Sequence, residues 1–345
     1  WFADLNYGPA AEAEKSDAFK ALTTAADKWI NLGVDGFRLD AVKHIYHNAY
    51  SSENPIFLKK FYDRCNTTFK ARGGNGDFYM VGEMLDDCDK VAPYYAGLPA
   101  LFEFSFWYKL KWALQNNTGL YFAHDIISMQ SAYSQYRTDY IEATKLSNHD
   151  EDRAGSDLDK SKEKMKLAAA VLMTSQGHPY IYQGEELGYW GTKSRGDEYV
   201  RAPIIWDRSS TNTATAGVNG KYDSGMLTKA MSVEAQSEDN NSVLSVYRYF
   251  TKLRNAHPAL ASGKMSKHPD YDENRQTDKN IAAWFIEGDG EKLLVVHNFG
   301  NTQYDAFFHE DLSQAVGLHG TASAYKTADT WKLTLGAYSS AIFKQ

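Results

Sequence analysis

Three short runs in this chain each lead to a carboxylate: Gly36-Phe-Arg-Leu-Asp40, Phe78-Tyr-Met-Val-Gly-Glu83 and Ile141 to Leu146 followed by Ser-Asn-His-Asp150. Helical patterns separate them. Residues 16–32 place Phe19, Leu22, Ala26 and Trp29 at helical spacing, with Ser16 or Asp17 able to cap the start and Gly33 to stop it. A second helix is predicted from Pro55 to about Arg72, and Gly73-Gly74 breaks it before the Glu83 run. Further on, a short strand at 100–104 precedes a helical stretch at 106–116. Lys160 to Ser175 reads as an amphipathic helix with Met165, Ala169, Leu172 and Met173 in a stripe, packed against the core. Tyr180-Ile-Tyr182 reads as the next strand and Ser242 to His257 as a last helix. Strands alternating with helices predict a parallel sheet with helical crossovers.

The character changes near residue 265. Ile281-Ala-Ala-Trp-Phe-Ile286, Lys292-Leu-Leu-Val-Val-His297 and Ser339-Ser-Ala-Ile-Phe343 are short, β-rich and bounded by turns. They predict a separate antiparallel β-sandwich. The domains are therefore expected at 1–264 and 265–345. Residues 208–225 are polar and aperiodic, a long loop of the kind that borders functional clefts.

Strand ends in a parallel barrel converge on one face. Carboxylates delivered there can share chemistry: cleavage of a glycosidic bond uses one to attack and one to donate a proton. The strand period puts Arg38 and Asp40 on one face, and an adjacent guanidinium keeps a carboxylate ionised for attack. Glu83 ends a buried run, and a carboxyl partly withdrawn from water suits a general acid. Each piece also has a bland reading. Arg-x-Asp on a strand is usually a structural ion pair, Val-Gly-Glu alone says nothing, and Asn-His-Asp is most often a polar turn.

In these segments the chain resembles the α-amylase family of glycoside hydrolases. Gly36-Phe-Arg-Leu-Asp-Ala-Val-Lys-His44 resembles the family's nucleophile segment, Val81-Gly-Glu-Met84 its acid/base segment, and Leu146-Ser-Asn-His-Asp150 its third-carboxylate segment. Gly177-His-Pro-Tyr-Ile-Tyr-Gln-Gly-Glu-Glu-Leu-Gly188 resembles the last barrel strand. Arg201-Ala-Pro-Ile-Ile-Trp206 and Leu253-Arg-Asn-Ala-His-Pro-Ala-Leu260 resemble segments downstream of it.

The resemblance implies an α/β fold: the C-terminal portion of a (β/α)8 barrel, strands four to eight, followed by the sandwich. The family's earlier Asp-x-x-x-Asn-His segment has no counterpart here, so the remaining strands are expected from residues upstream of Trp1. The Asp40 strand is then expected to have one edge unpaired within this chain.

The resemblance further implies retaining endo-hydrolysis of α-1,4-glucosidic bonds in starch-like glucans and maltooligosaccharides. It makes Asp40 the nucleophile, Glu83 the acid/base and Asp150 the third carboxylate. Arg38, Lys43, His44 and His149 are expected to contact substrate. Many relatives bind structural calcium through the backbone carbonyl at the His44 position; further ligands are expected outside this chain. The alternatives are an α-1,6-active or transglycosylating relative, or a catalytically inactive glucan-binding homologue. The likeness is strongest to the cell-surface starch-utilisation branch of the family. It implies an extracellular or outer-membrane-anchored monomer with cell-surface glucan-binding proteins as partners.

Composition agrees. Aromatics reach 14% with 23 Tyr and 8 Trp, and ring faces serve as platforms for sugars, although large barrels also pack many aromatics. A formal charge of −7 argues against nucleic acid, which needs a basic footprint. Cys65 and Cys88 lack metal-binding spacing and read as thiols rather than a disulfide.

Overall fold

The computed structural model describes residues 5–208, 226, 228–271 and 278–345. The polar stretch at 208–225 falls, from 209 on, outside the described residues. The chain divides into two compact units. One holds residues up to Ser105 together with Ser128–Ala143; the other holds Phe106–Ile127 and Thr144–Gln345.

The first unit is built on parallel strands. Helix α1 (Asp17–Asn31) starts where the Ser16 hydroxyl accepts from the Phe19 amide, a cap that typically contributes about 1 kcal/mol. Strand β1 (Gly36–Leu39) follows, then α2 (Glu53–Ala71), β2 (Tyr79–Gly82), the short α3 (Cys88–Val91) and β3 (Ala100–Glu103). Helices α4 (Phe104–Gln115) and α5 (Phe122–Ser134) lead to β4 (Ile141–Thr144). The sheet order is β1-β2-β3-β4, so β1 is an end strand. Arg38 registers with Val81 and Leu39 with Gly82.

The expected face of α1 is rotated. Phe19, Thr23, Ala26 and Ile30 are buried, whereas Trp29 is 54% exposed. The apolar spacing fits two neighbouring stripes, and packing selects the one through Ile30.

In the second unit, Tyr180-Ile-Tyr182 does not form a strand. It makes one parallel bridge, Lys145 to Tyr180, with the Tyr180 amide donating to the Thr144 carbonyl at 2.7 Å. Pro179 has no N–H for a ladder, and the chain turns at Gly184 with φ of 86°. After α6 (Ala154–Asp157) comes α7 (Lys162–Thr174), which is not amphipathic as expected. Every residue from Met165 to Thr174 is buried, including Lys166, whose ammonium donates to Asn241 at 2.7 Å. Helices α8 (Asp197–Val200), α9 (Val233–Glu238), α10 (Val243–Ala256) and α11 (Pro258–Ser262) complete the helical part.

The C-terminal strands form two antiparallel sheets. The larger takes β5 (Lys264–Lys267), β6 (Ile281–Gly288), β7 (Glu291–Asn298), β12 (Ser340–Lys344) and β9 (Ala315–His319) in that order. The smaller takes β10 (Ala322–Lys326), β11 (Trp331–Leu335) and β8 (Tyr304–Phe308). Alternate residues of both sheets, among them Phe285, Leu294, Val296, Phe308, Leu333 and Phe343, meet in one apolar core. The fold is thus the expected one: a parallel α/β sheet with helices, followed by a β-sandwich-like domain. The second unit runs across residue 264, because α7 is tied to the large sheet. Thr174 Oγ1 lies 3.0 Å from His297 Nε2, and Trp284 Nε1 donates to the Thr174 carbonyl.

Candidate active site

The parallel pairing of β1 and β2 carries their C-terminal residues side by side. Beyond the strands the ladder continues: the Glu83 amide donates to the Leu39 carbonyl at 2.9 Å, and the Val42 amide to the Glu83 carbonyl at 3.0 Å. Gly82 lets this happen. A Cβ there would lie 2.6 Å from Leu98 Cδ1 and 3.0 Å from Leu101 Cδ2.

Arg38, Asp40 and Glu83 form one constellation. An Arg38 Nη1 hydrogen bonds to Asp40 Oδ1, and Nη2 lies 3.9 Å from Glu83 Oε2. The same Oε2 accepts the Ala41 amide at 3.0 Å. The side chain of Asp40 is 79% exposed and that of Glu83 only 19%. One carboxylate therefore faces solvent while its neighbour is largely enclosed.

Lys43 turns away from that group. Its ammonium donates to the Leu85 carbonyl at 2.7 Å and to Asp86 Oδ2 at 3.0 Å, and Asp86 also accepts the Tyr50 hydroxyl at 2.9 Å. Burial alone would push the Asp86 carboxyl up; the bonds from Lys43 and Tyr50 outweigh it and hold the carboxyl below its ordinary value. His44 ends a 3-10 turn (Val42–His44) and is exposed. The loop behind it hangs on Asn54, fully buried, which donates to the Lys43 carbonyl and accepts the Tyr46 amide. Among the described residues no group of three or more His, Cys, Asp or Glu side chains gathers as a metal centre requires. Calcium takes six to eight oxygens, so an ion at the His44 carbonyl would need its other ligands from outside the described residues.

In the second unit Asp150 sits among cations. Arg201 Nη2 is 2.9 Å from Oδ1, Lys193 Nζ 3.3 Å from Oδ1, and His149 Nε2 3.0 Å from Oδ2. Desolvation pushes the Asp150 carboxyl up, but His149, Lys193 and Arg201 together bring it below its ordinary value. Asp197 pairs with both Lys193 and Arg201. Under this loop lies a buried carboxyl, Glu185, which accepts the Ser147 hydroxyl at 3.0 Å and the Tyr247 hydroxyl at 2.6 Å. Burial pushes it up to about 7. Sequence reasoning missed Asp86, Tyr50, Asn54, Lys193, Asp197 and Glu185. Arg201 and Glu185 stood inside segments already singled out, but nothing in the spacing tied them to Asp150 or Ser147.

A model of the α-amylase catalytic domain matches residues 3–263, and a model of the C-terminal domain of the α-amylase SusG matches residues 281–342. The chain belongs to the α-amylase family of glycoside hydrolases. It is 54% identical over 345 residues to Alpha-amylase SusG of Bacteroides thetaiotaomicron, covering 100% of this chain and 49% of that protein. Alpha-amylase 3 of Dictyoglomus thermophilum is 31% identical over 318 residues, covering 92% of this chain and 59% of that protein. The crystal structure of an α-amylase from H. orenii superimposes with a TM-score of 0.81 at 25% identity, covering 95% of this chain and 64% of that one. The chain thus spans about half the length of the curated relatives it matches.

Proposed function

We propose that the protein hydrolyses α-1,4-glucosidic bonds inside starch-like glucans with retention of configuration. The observation that carries the reading is the Arg38 guanidinium, bonded to Asp40 and 3.9 Å from Glu83. Arg38 orients Asp40 through their hydrogen bond, and Asp40 attacks the anomeric carbon. Glu83 gives its proton to the departing glycosidic oxygen. Both contacts to Glu83 fall on Oε2, so Oε1 is assigned the proton. The glycosyl ester on Asp40 is then opened by water, whose proton returns to Glu83 as the ester bond breaks.

The role of Asp150 rests on its motif and on its cationic setting, which keeps it an anion able to grip sugar hydroxyls. His149 is assigned to a hydroxyl beside it. Lys43 and His44 are assigned to the leaving-group side, which favours α-1,4 over α-1,6 bonds. A cell-surface location, anchored at an outer membrane, rests on the likeness to SusG alone. Glucan-binding partner proteins rest on the same likeness, and calcium at the His44 carbonyl rests on the family resemblance, with its other ligands outside this chain.

The test is Glu83→Gln. The amide keeps the shape and has no proton to give. The variant should bind maltoheptaose and lose all but about a hundredth of the turnover of unactivated starch. A tenth of the parent rate would remove Glu83 from the role. Proton NMR of the first product should show the α-anomer, and amylose should be cut in preference to pullulan.

A further inference from the structure

A pocket of about 600 Å³ opens on the first unit between the start of α2 and the 3-10 turn Ala92–Ala96. That volume falls within the roughly 300–1,000 Å³ of small-molecule sites. Its wall carries Tyr50, Ile56, Tyr94 and Tyr136. Tyr50, Ile56 and Tyr136 are 61%, 40% and 48% exposed, so three large apolar faces are presented to water at one place.

The wall is rigid. Pro55 and Pro93 each sit in the first turn of their helical segments. The Tyr94 hydroxyl accepts from Asn54 at 3.1 Å and donates to the Ala49 carbonyl. A Cβ on Gly97 would lie 2.5 Å from the Pro55 carbonyl oxygen, so glycine lets the two segments close on each other.

The charges at the rim are already spent on neighbours. Lys59 pairs with Asp63 at 2.7 Å and Lys90 with Asp89 at 2.8 Å. An anion would find no cation lacking a counter-charge there. What the rim does offer is hydroxyl chemistry: Ser52 occupies the cap position of α2, yet its side chain makes no cap bond. Aromatic faces beside neutral polar groups match a sugar, whose C–H face stacks on a ring while its hydroxyls bond at the edge. The pocket is also joined to the proposed leaving-group side, because Tyr50 in its wall bonds Asp86, which holds Lys43.

We propose that this pocket binds a segment of the α-glucan chain, engaged beside the segment being cut. The assignment rests on the hydrolase reading above, and its test separates the two. In the intact protein carrying Glu83→Gln, which leaves polysaccharide undigested, retardation in amylopectin gels reads glucan binding. Adding Tyr136→Ala should weaken that binding about three- to tenfold, the loss of one aromatic contact. Tyr136→Phe keeps the ring face and should retain the parent value. In the active enzyme, Tyr136→Ala should hydrolyse a blocked chromogenic maltotrioside at the parent rate. If Tyr136→Ala and Ile56→Ala both migrate as the parent does, the pocket is not a glucan site. If the parent enzyme fails to cut the maltotrioside, the hydrolase reading falls, and the gel still decides the pocket.

Discussion

The Ala41 amide donates to Glu83 Oε2 at 3.0 Å, and it does so from a left-handed backbone with φ of 42° and ψ of 49°. Asp40 is the residue before it. The turn that aims Asp40 therefore also fixes the enclosed carboxyl. A non-glycine residue in this region costs about 1–2 kcal/mol, a strain held by the surrounding ladder. Ala41→Val adds a β-branch to a conformation that such residues avoid. It should lower the melting temperature and reduce turnover together. Ala41→Gly should keep the turn and the activity. Thermal unfolding and starch hydrolysis measured on both variants check this; full activity in Ala41→Val would detach the turn from catalysis.

Arg38→Ala should separate stability from activity. Arg38 and Asp40 share one face at the end of β1, a place where an ion pair can be buried. Their side chains are instead 35% and 79% exposed. Exposed pairs contribute about 0–1 kcal/mol, so the melting temperature should barely move. Turnover should fall at least about tenfold, because Asp40 loses the cation that orients it. A large fall in melting temperature with unchanged turnover would make Arg38 a structural residue.

Glu185 gives a pH signature. In the fold its carboxyl is pushed up to about 7, while the ordinary value is 4.5. Between these values the folded chain holds a proton that the unfolded chain has released. Stability from this group is therefore complete below about pH 4.5, falls as pH rises to 7, and is flat above. The swing is on the order of 3 kcal/mol. Buried His297, pushed down to about 3, slopes the other way as its unfolded form takes up protons below 6.5. Subtracting the wild-type curve from that of Glu185→Gln cancels this. The difference should rise in favour of the variant from pH 5 to 7 in denaturant titrations; a flat difference would mean that Glu185 is ionised in the fold.

What the sequence made legible was local. The period-2 run ending at Asp40, the apolar run ending at Glu83 and the cap at Ser16 depend on near neighbours, and each stands where it was expected. What stayed hidden depends on partners far along the chain. Asp86 meets Lys43 across 43 residues, Lys193 meets Asp150 across 43, and Tyr247 meets Glu185 across 62. No spacing rule encodes such pairs. The rotated face of α1 and the all-round burial of α7 have the same origin, because the neighbours of a helix decide which of its stripes is covered. At Tyr180 the apolar content suggested a strand, and Pro179 removed the donor a ladder requires.

Asp86 is the strongest of the residues that sequence reading missed. Its carboxylate clamps Lys43 from one side and Tyr50 from another, and the Lys43 and Asp86 side chains are only 20% and 16% exposed. Asp86→Asn keeps an acceptor for Tyr50 but removes the charge that Lys43 answers. A half-buried ammonium then lacks its counter-charge, which should cost about 1–3 kcal/mol of stability. Lys43 should also leave its fixed position on the proposed leaving-group side. KM for maltoheptaose should rise several-fold, while a substrate too short to reach Lys43 should be cut with little change. Steady-state kinetics on the two substrates decide the point. Equal losses on both would mean that Asp86 supports the Glu83 strand end as a whole, and no change on either would place Lys43 outside the path of the glucan.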